Sequence, residues 1–264
     1  MPGQQLSARQ PRGRKQPFAD NLMIVLSVGM PRAGSGWHYN LIHDLMHTTG
    51  CAEASDIRSR FRLETVLSEV NCNIGVLSVR RLAMVAVPAL LGNTFVIKAH
   101  SRPTAAFRIM RAAGVLRATY IFRDPRDAML SAMEYGNRAV RKGRPNAFSH
   151  LTDFTQALDF LGTYVRIWES WTGERGVLVS RYEDLLRDYD AETLRLVGFL
   201  GIDSGRRGIS EVLDRYRPEQ AEGRQGTHFF KGRIGRFREV FSQEQQRTLA
   251  QRFGPQLQRM GYSI

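Results

Sequence analysis

Apolar and polar positions along the 264-residue chain follow two alternating rhythms. Short apolar runs rich in β-branched residues occur at Met23–Val28, Thr94–Lys98, Arg117–Phe122 and Gly176–Ser180, and their length and composition predict buried strands. Between them the spacing changes to that of a helix. Trp37, Leu41, Leu45 and Met46 predict a helix from about Ser35, with Gly50 as its stop signal. Helical patterns also cover 126–136, 151–171 and 190–200. Strands that alternate with helices predict an α/β fold, a central parallel sheet flanked by helices on both faces. The stretch Gly136–Ser149 is polar and basic, contains Pro145, and reads as a long loop that could serve as a lid. Residues 1–20 read as a flexible basic tail, broken by Pro2 and Pro11, and 21–264 as one domain without internal repeats.

Composition narrows the class. With 42% hydrophobic residues the chain can build a sizeable core, which excludes global disorder. Charge is the departure: 38 Lys+Arg against 25 Asp+Glu leave a formal net charge of +13. Only Lys15, Lys98, Lys142 and Lys231 are lysines, so arginine carries the excess. A balance of this kind suggests an anionic partner and says nothing about fold. Cys51 and Cys72 make neither a disulfide framework nor a metal cluster, which points to a reducing, cytoplasmic setting and no metal. Arg12, Arg14 and Lys15 before the apolar run Leu22–Val28 imitate a signal peptide, but Asp20 and Asn21 interrupt the pattern and a glycine-rich turn follows it. No apolar stretch is long enough for a membrane span.

The strongest local signal is the sequence Gly29-Met-Pro-Arg-Ala-Gly34 between the first strand and its helix. Glycines let the backbone fold around an anion, and a helix N-terminus aims free N–H groups at it. The pattern starts like a Walker A loop, but Ser35-Gly36 stands where a triphosphate site needs lysine and a hydroxyl residue. The loop therefore suits a phosphate and not magnesium–triphosphate chemistry. At the end of the second strand, Lys98 and His100 are two apart and project to one face at the sheet's C-terminal edge. Histidine, with an ordinary pKa of about 6.5, suits a general base near neutrality. At the end of the third strand comes Arg123, then Asp124 as a helix cap and Pro125 at the first helical position. A planar guanidinium at this edge suits a phosphate. The segment His43-Asp-Leu-Met-His47 is one residue away from a zinc-protease motif, but it lacks the glutamate base and an evident third ligand, and reads as an amphipathic helix.

Several of these segments together resemble the sulfotransferases that use 3′-phosphoadenosine 5′-phosphosulfate (PAPS). Pro31-Arg-Ala-Gly-Ser-Gly-Trp37 is similar to the family's 5′-phosphosulfate loop, Pro-Lys-Ser-Gly-Thr-Thr-Trp. Arg123 and Ser131, eight positions apart, resemble its 3′-phosphate pair. Lys98-Ala-His100 matches Lys-Thr-His, Tyr182-Glu-Asp-Leu185 matches Tyr-Glu-Asp-Leu, and Phe230-Lys-Gly-Arg-Ile-Gly235 resembles Arg-Lys-Gly-x-x-Gly. Gly261-Tyr262 fits the usual ending. The likeness spans about 22–262 and is weakest over 50–92.

The resemblance implies sulfuryl transfer from PAPS to a hydroxyl or amine, with 3′-phosphoadenosine 5′-phosphate (PAP) as product and no metal. It implies His100 as base, with Lys98 and Arg32 at the transferring group. Ala33, Gly34, Ser35 and Gly36 would complete the phosphosulfate loop, and Trp37 and Tyr182 would approach adenine. Arg123, Ser131, Lys231, Gly232 and Arg233 would hold the 3′-phosphate. Phe230 and Arg236-Phe237 depart from the family pattern, as does Gly36, which lacks the second loop hydroxyl. The acceptor is expected to be a small molecule or glycan, with its pocket walls drawn from 50–92 and 136–149; an acidic acceptor would match the basic residues Arg138–Arg144. Nucleic acid is not expected as a partner, and the oligomeric state is open. Two other readings compete: a different P-loop transferase or kinase, opposed by the missing lysine, and a noncatalytic anion- or nucleic-acid-binding module, which would need a surface stripe of charge instead of a convergent pocket.

Overall fold

Four parallel strands form the centre of the molecule, β1 (Ile24–Gly29), β2 (Phe95–Ala99), β3 (Leu116–Phe122) and β4 (Val177–Arg181), in the order β2-β1-β3-β4. They match the four expected strands to within one or two residues. The coordinates are a computed structural model that describes residues 23–221 and 232–264. The basic tail expected over 1–20 and the candidate residue Lys231 lie outside the described residues.

The sheet is covered on both faces. Ile24, Leu26 and Val28 of β1 join one apolar cluster, whereas Val25 joins the other, as the period-2 alternation of a strand requires. The second of these clusters holds α1 (Ser35–His47). The first holds side chains from α2 (Ala54–Arg60), α3 (Val79–Leu90), α4 (Ala105–Ala112), α5 (Pro125–Arg141) and α6 (Phe154–Thr172). The α1 side is completed by α7 (Tyr182–Arg187), α8 (Tyr189–Leu200) and α9 (Ile209–Arg215). Two short helices, α10 (Pro218–Ala221) and α11 (Phe237–Val240), precede the C-terminal α12 (Gln243–Arg259). No helix of the described residues is long and apolar enough to cross a membrane.

The expected loop over Gly136–Ser149 is corrected in its first half. Helix α5 runs through Gly136 to Arg141, and only the following residues turn back. The reason is packing. The backbone of Phe148 lies so close to Gly136 that any side chain there would collide with its carbonyl. Glycine thus stays inside a helix against its propensity because the returning chain needs the space.

Helix α5 is also the element that sets the C-terminal edge of β3. Asp124 caps it, accepting from Arg126 N at 3.0 Å, and the same carboxylate takes two bonds from the Arg126 guanidinium, at 3.0 and 2.8 Å. Both side chains are buried. Loss of one partner would strand a buried charge as well as uncap the helix. Asp124→Ala is therefore expected to lower stability by about 3–5 kcal/mol in urea unfolding. A loss below about 1 kcal/mol, that of a cap alone, would contradict this account of the pair.

Candidate active site

The loop after β1 is shaped by two left-handed residues, Arg32 (φ 63°) and Gly34 (φ 77°). Gly34 is the N-cap of α1 and, having no side chain, leaves the first turn without a side-chain acceptor. The N–H groups of that turn are free to meet an anion. Space also fixes the glycine: a Cβ on Gly34 would lie 2.5 Å from Cδ2 of Tyr182, whose ring packs against the loop. Thus the phosphate-loop motif and the Tyr-Glu-Asp-Leu motif, far apart in sequence, meet face to face.

A pocket of about 360 Å³ opens above this turn. Arg32, Gly34, Ser35, Gly36, Trp37, Lys98, His100, Arg123, Ser131, Tyr182, Gly232 and Arg233 all reach its walls. These are the candidate residues from six separate segments. Ala33 is buried just behind, in the apolar core.

Arg32 Nε donates to Ser131 Oγ at 3.3 Å, and its guanidinium lies 4.3 Å from the ring centre of Tyr135. Burial lowers the Arg32 pKa, opposed by Tyr135 and reinforced by the nearby Arg138 and Arg123. Lys98 is buried on β2, and burial together with Arg32 brings its pKa down to about 8. One residue beyond the strand end, His100 Nδ1 lies 2.6 Å from the carbonyl oxygen of Gly29. A carbonyl only accepts, so Nδ1 carries the proton and Nε2 keeps its lone pair. Burial, with help from Lys98 and against the Gly29 bond, lowers the His100 pKa to about 4. At neutral pH the imidazole is therefore an unprotonated base.

Arg123 stands at the end of β3, its guanidinium 4.9 Å from the centre of the Tyr182 ring. Nη2 donates to the Arg233 carbonyl at 2.6 Å and to Asp127 Oδ2 at 3.3 Å, while the buried Nε has no partner among the described residues. Asp127 does more than join Arg123. Its two oxygens also accept from Gly235 N at 2.6 Å and Phe237 N at 3.0 Å. One buried carboxylate thus pins the 232–237 turn to α5 and steadies the arginine beside it. The Arg233 guanidinium turns outward to Glu239, at 3.1 Å, so its contribution at the pocket is its backbone.

Two motif residues prove to be frame as much as site. Trp37 is buried, donates Nε1–H to the Tyr216 carbonyl at 3.0 Å and stacks on Tyr189 at 6.2 Å; only part of it reaches the pocket. Glu183 accepts from Asp124 N at 3.0 Å and from the Tyr262 hydroxyl at 2.7 Å. This bond explains the terminal Gly261-Tyr262, which ties the chain end to the strand edge. The pocket also recruits Glu134 and Tyr135, which no motif indicated, together with Arg138 from the basic stretch and Arg236 from the altered end of the Lys-Gly motif. Glu134 forms a two-bond pair with Arg236 at 2.6 and 3.0 Å. Ser131, Tyr135 and Arg138 share one face of α5 by helical spacing, so the serine was the signal from which the others could be found. Val70 and Asn71 from the weakly matched stretch and Phe148 from the returning loop complete the walls, as expected of 50–92 and 136–149. The other histidine motif has a different use: His43 is held between the carboxylates of Asp44 and Glu53, each at 3.0 Å.

Comparison with known proteins agrees with this geometry. The profile of the sulfotransferase domain matches residues 23–261. Among solved structures, mouse sulfotransferase SULT7A1 complexed with PAP superposes with a TM-score of 0.56 at 14% identity, over 92% of this chain and 87% of that one. Retinol dehydratase in a complex with retinol and PAP gives 0.58 at 17% identity, over 90% and 82%. No curated protein matches significantly in sequence. A match to all but the ends of the chain, on a sheet whose edge gathers the family's motifs, shows that the protein belongs to the sulfotransferase family.

Proposed function

We propose that the protein transfers a sulfuryl group from PAPS to a hydroxyl or amine of a small-molecule or glycan acceptor and releases PAP. The observation that carries this reading is the meeting of Arg32, Lys98 and Arg123 with an uncapped helix N-terminus and a neutral His100 in one pocket. The residues suit the nucleotide: Arg123 lines the pocket with a guanidinium that suits a phosphate, and the Gly34 turn leaves room that a side chain would fill.

When bound, PAPS supplies a sulfuryl group bonded to a phosphate leaving group. His100 Nε2 takes the proton of the acceptor's nucleophile, a contribution of about 10²–10⁴-fold. Lys98 and Arg32 present fixed positive charge where negative charge grows. Ser131 keeps Arg32 in place, and Tyr135 covers its outer face. Arg123 and Ser131 hold the 3′-phosphate; Lys231, outside the described residues, joins them by its motif. Trp37 and Tyr182 flank the adenine. The remaining walls, aromatic at Tyr135 and Phe148 and charged at Arg138 and Arg236, bound the acceptor. The solved retinol dehydratase complexes hold retinol or androsterone, both alcohols. A polar wall of this kind supports an acceptor with anionic or hydrogen-bonding groups.

Three outcomes test the reading. PAP is expected to raise the melting temperature, with no comparable rise from Mg-ATP; preference for Mg-ATP would return the protein to the kinase alternative. His100→Ala is expected to lose at least about 100-fold in turnover with PAPS while still binding PAP, and normal turnover would remove the base. Lys98 supplies the pH signature. Its charged form disappears as pH rises through about 8, so PAP affinity should fall there. Lys98→Arg, which stays charged, should abolish the fall. A wild-type affinity that stays flat to pH 10 would contradict the role of Lys98 in anion binding.

A further inference from the structure

Helix α3 buries Leu82, Val85, Pro88 and Ala89 against the core and turns the opposite face to solvent. That outer face is not polar. Val79 is 72% exposed, Leu90 69% and Leu91 68%, with Val87 and Ala83 between them. Val79, Ala83, Val87 and Leu90 are spaced as one helical stripe. Val76 and Val70 extend the apolar surface along the chain, and Val70 also lines the pocket, so it reaches the rim of the active site. Scattered apolar side chains are normal on a surface, but a contiguous stripe marks an interaction site.

Charge identifies the occupant. Between Glu69 and Asp124 the sequence has no acidic residue, while Arg80, Arg81, Arg102, Arg108 and Arg111 fall within it. Arg80 lies on the exposed face of α3 among the apolar side chains, and Arg102, after β2, is also exposed. Arg108 is paired with Glu174 and Arg81 with the Ile74 carbonyl; Arg80 and Arg102 have no such partner among the described residues. A second copy packed by the same face would set Arg80 against its own like. The tail, with Arg9, Arg12, Arg14 and Lys15 against Asp20, is also of the wrong sign to cover it. An apolar stripe that carries Arg80, unpaired among the described residues, fits the headgroup region of an anionic lipid bilayer, where the side chains enter the acyl boundary and the guanidinium meets phosphates.

We infer that the outer face of α3, with Val76 and Val70, docks the protein on anionic membrane surfaces. The inference goes beyond the catalytic reading and does not depend on it. The full chain is tested by flotation with phosphatidylcholine–phosphatidylserine vesicles and with phosphatidylcholine vesicles alone. Binding to the anionic vesicles only is expected, weakened about tenfold or more in Leu90→Ser/Leu91→Ser and reduced in Arg80→Gln. Melting curves and the PAP-induced shift should be unchanged in both variants, since neither touches the pocket or the core. Failure of the wild type to float would overturn the inference. So would binding that both variants retain in full, which would trace it to the net charge or the tail. A concentration-dependent dimer that Leu90→Ser/Leu91→Ser dissolves would assign the face to a second copy instead.

Discussion

Positive charge gathered in one cleft, only part of it met by carboxylates, is the constraint around which the molecule is arranged. Burial disfavours the charge on both Arg32 and Lys98, and Arg32 adds to the effect on Lys98. Neither has a carboxylate partner among the described residues. The uncapped N-terminus of α1 adds partial positive charge to the same space. Such a cluster opposes folding until an anion enters, and an anion that binds the folded state alone returns the difference as stability. Burial, with Lys98 adding to it, keeps the His100 imidazole neutral near pH 7, while the Gly29 carbonyl selects which nitrogen carries the lone pair.

Three buried acidic residues nearby serve the frame rather than the pocket. Asp124 holds Arg126 and caps α5; Asp127 holds Arg123 and the 232–237 turn; Glu183 joins the end of β3 to Tyr262. All three are buried, where unpaired carboxylates would be costly, and each is satisfied by several donors. A carboxylate shared between Arg123 and two backbone N–H groups sets the arginine's position without reaching across to Arg32 or Lys98. The walls can thus be rigid while the centre stays positive. Tyr135 and Tyr182 contribute in a different way, covering the guanidinium groups of Arg32 and Arg123 with ring faces that add no net charge.

What the sequence disclosed follows from how local each signal is. The strands, the Gly29–Gly34 turn and the Asp124-Pro125 cap are written in adjacent residues, so their positions were legible to within a residue or two. Lys98 and His100 were legible because a strand's period of two makes neighbours of them. The contacts of Asp127 with Gly235 and Phe237 were not, because they join positions more than a hundred residues apart and leave no local spacing. Tyr135 over Arg32 escaped for the same reason, although its helical register with Ser131 was there to be used. The continuation of α5 through Gly136 was hidden by a real conflict: glycine and the polar residues after it favour a loop, and only the returning Phe148 reverses that preference. Helix α3 went unrecognised because its apolar residues lie all round, on a core face and on an exposed one.

The central claim, that these positive groups read a nucleotide by its 3′-phosphate, is tested most directly by calorimetric titration of PAP against AMP, which lacks that phosphate. With Arg123 on the pocket wall, PAP should bind about 100-fold tighter than AMP, and Arg123→Met should collapse the difference while AMP binding persists. Equal affinity of the wild-type protein for PAP and AMP would contradict the account.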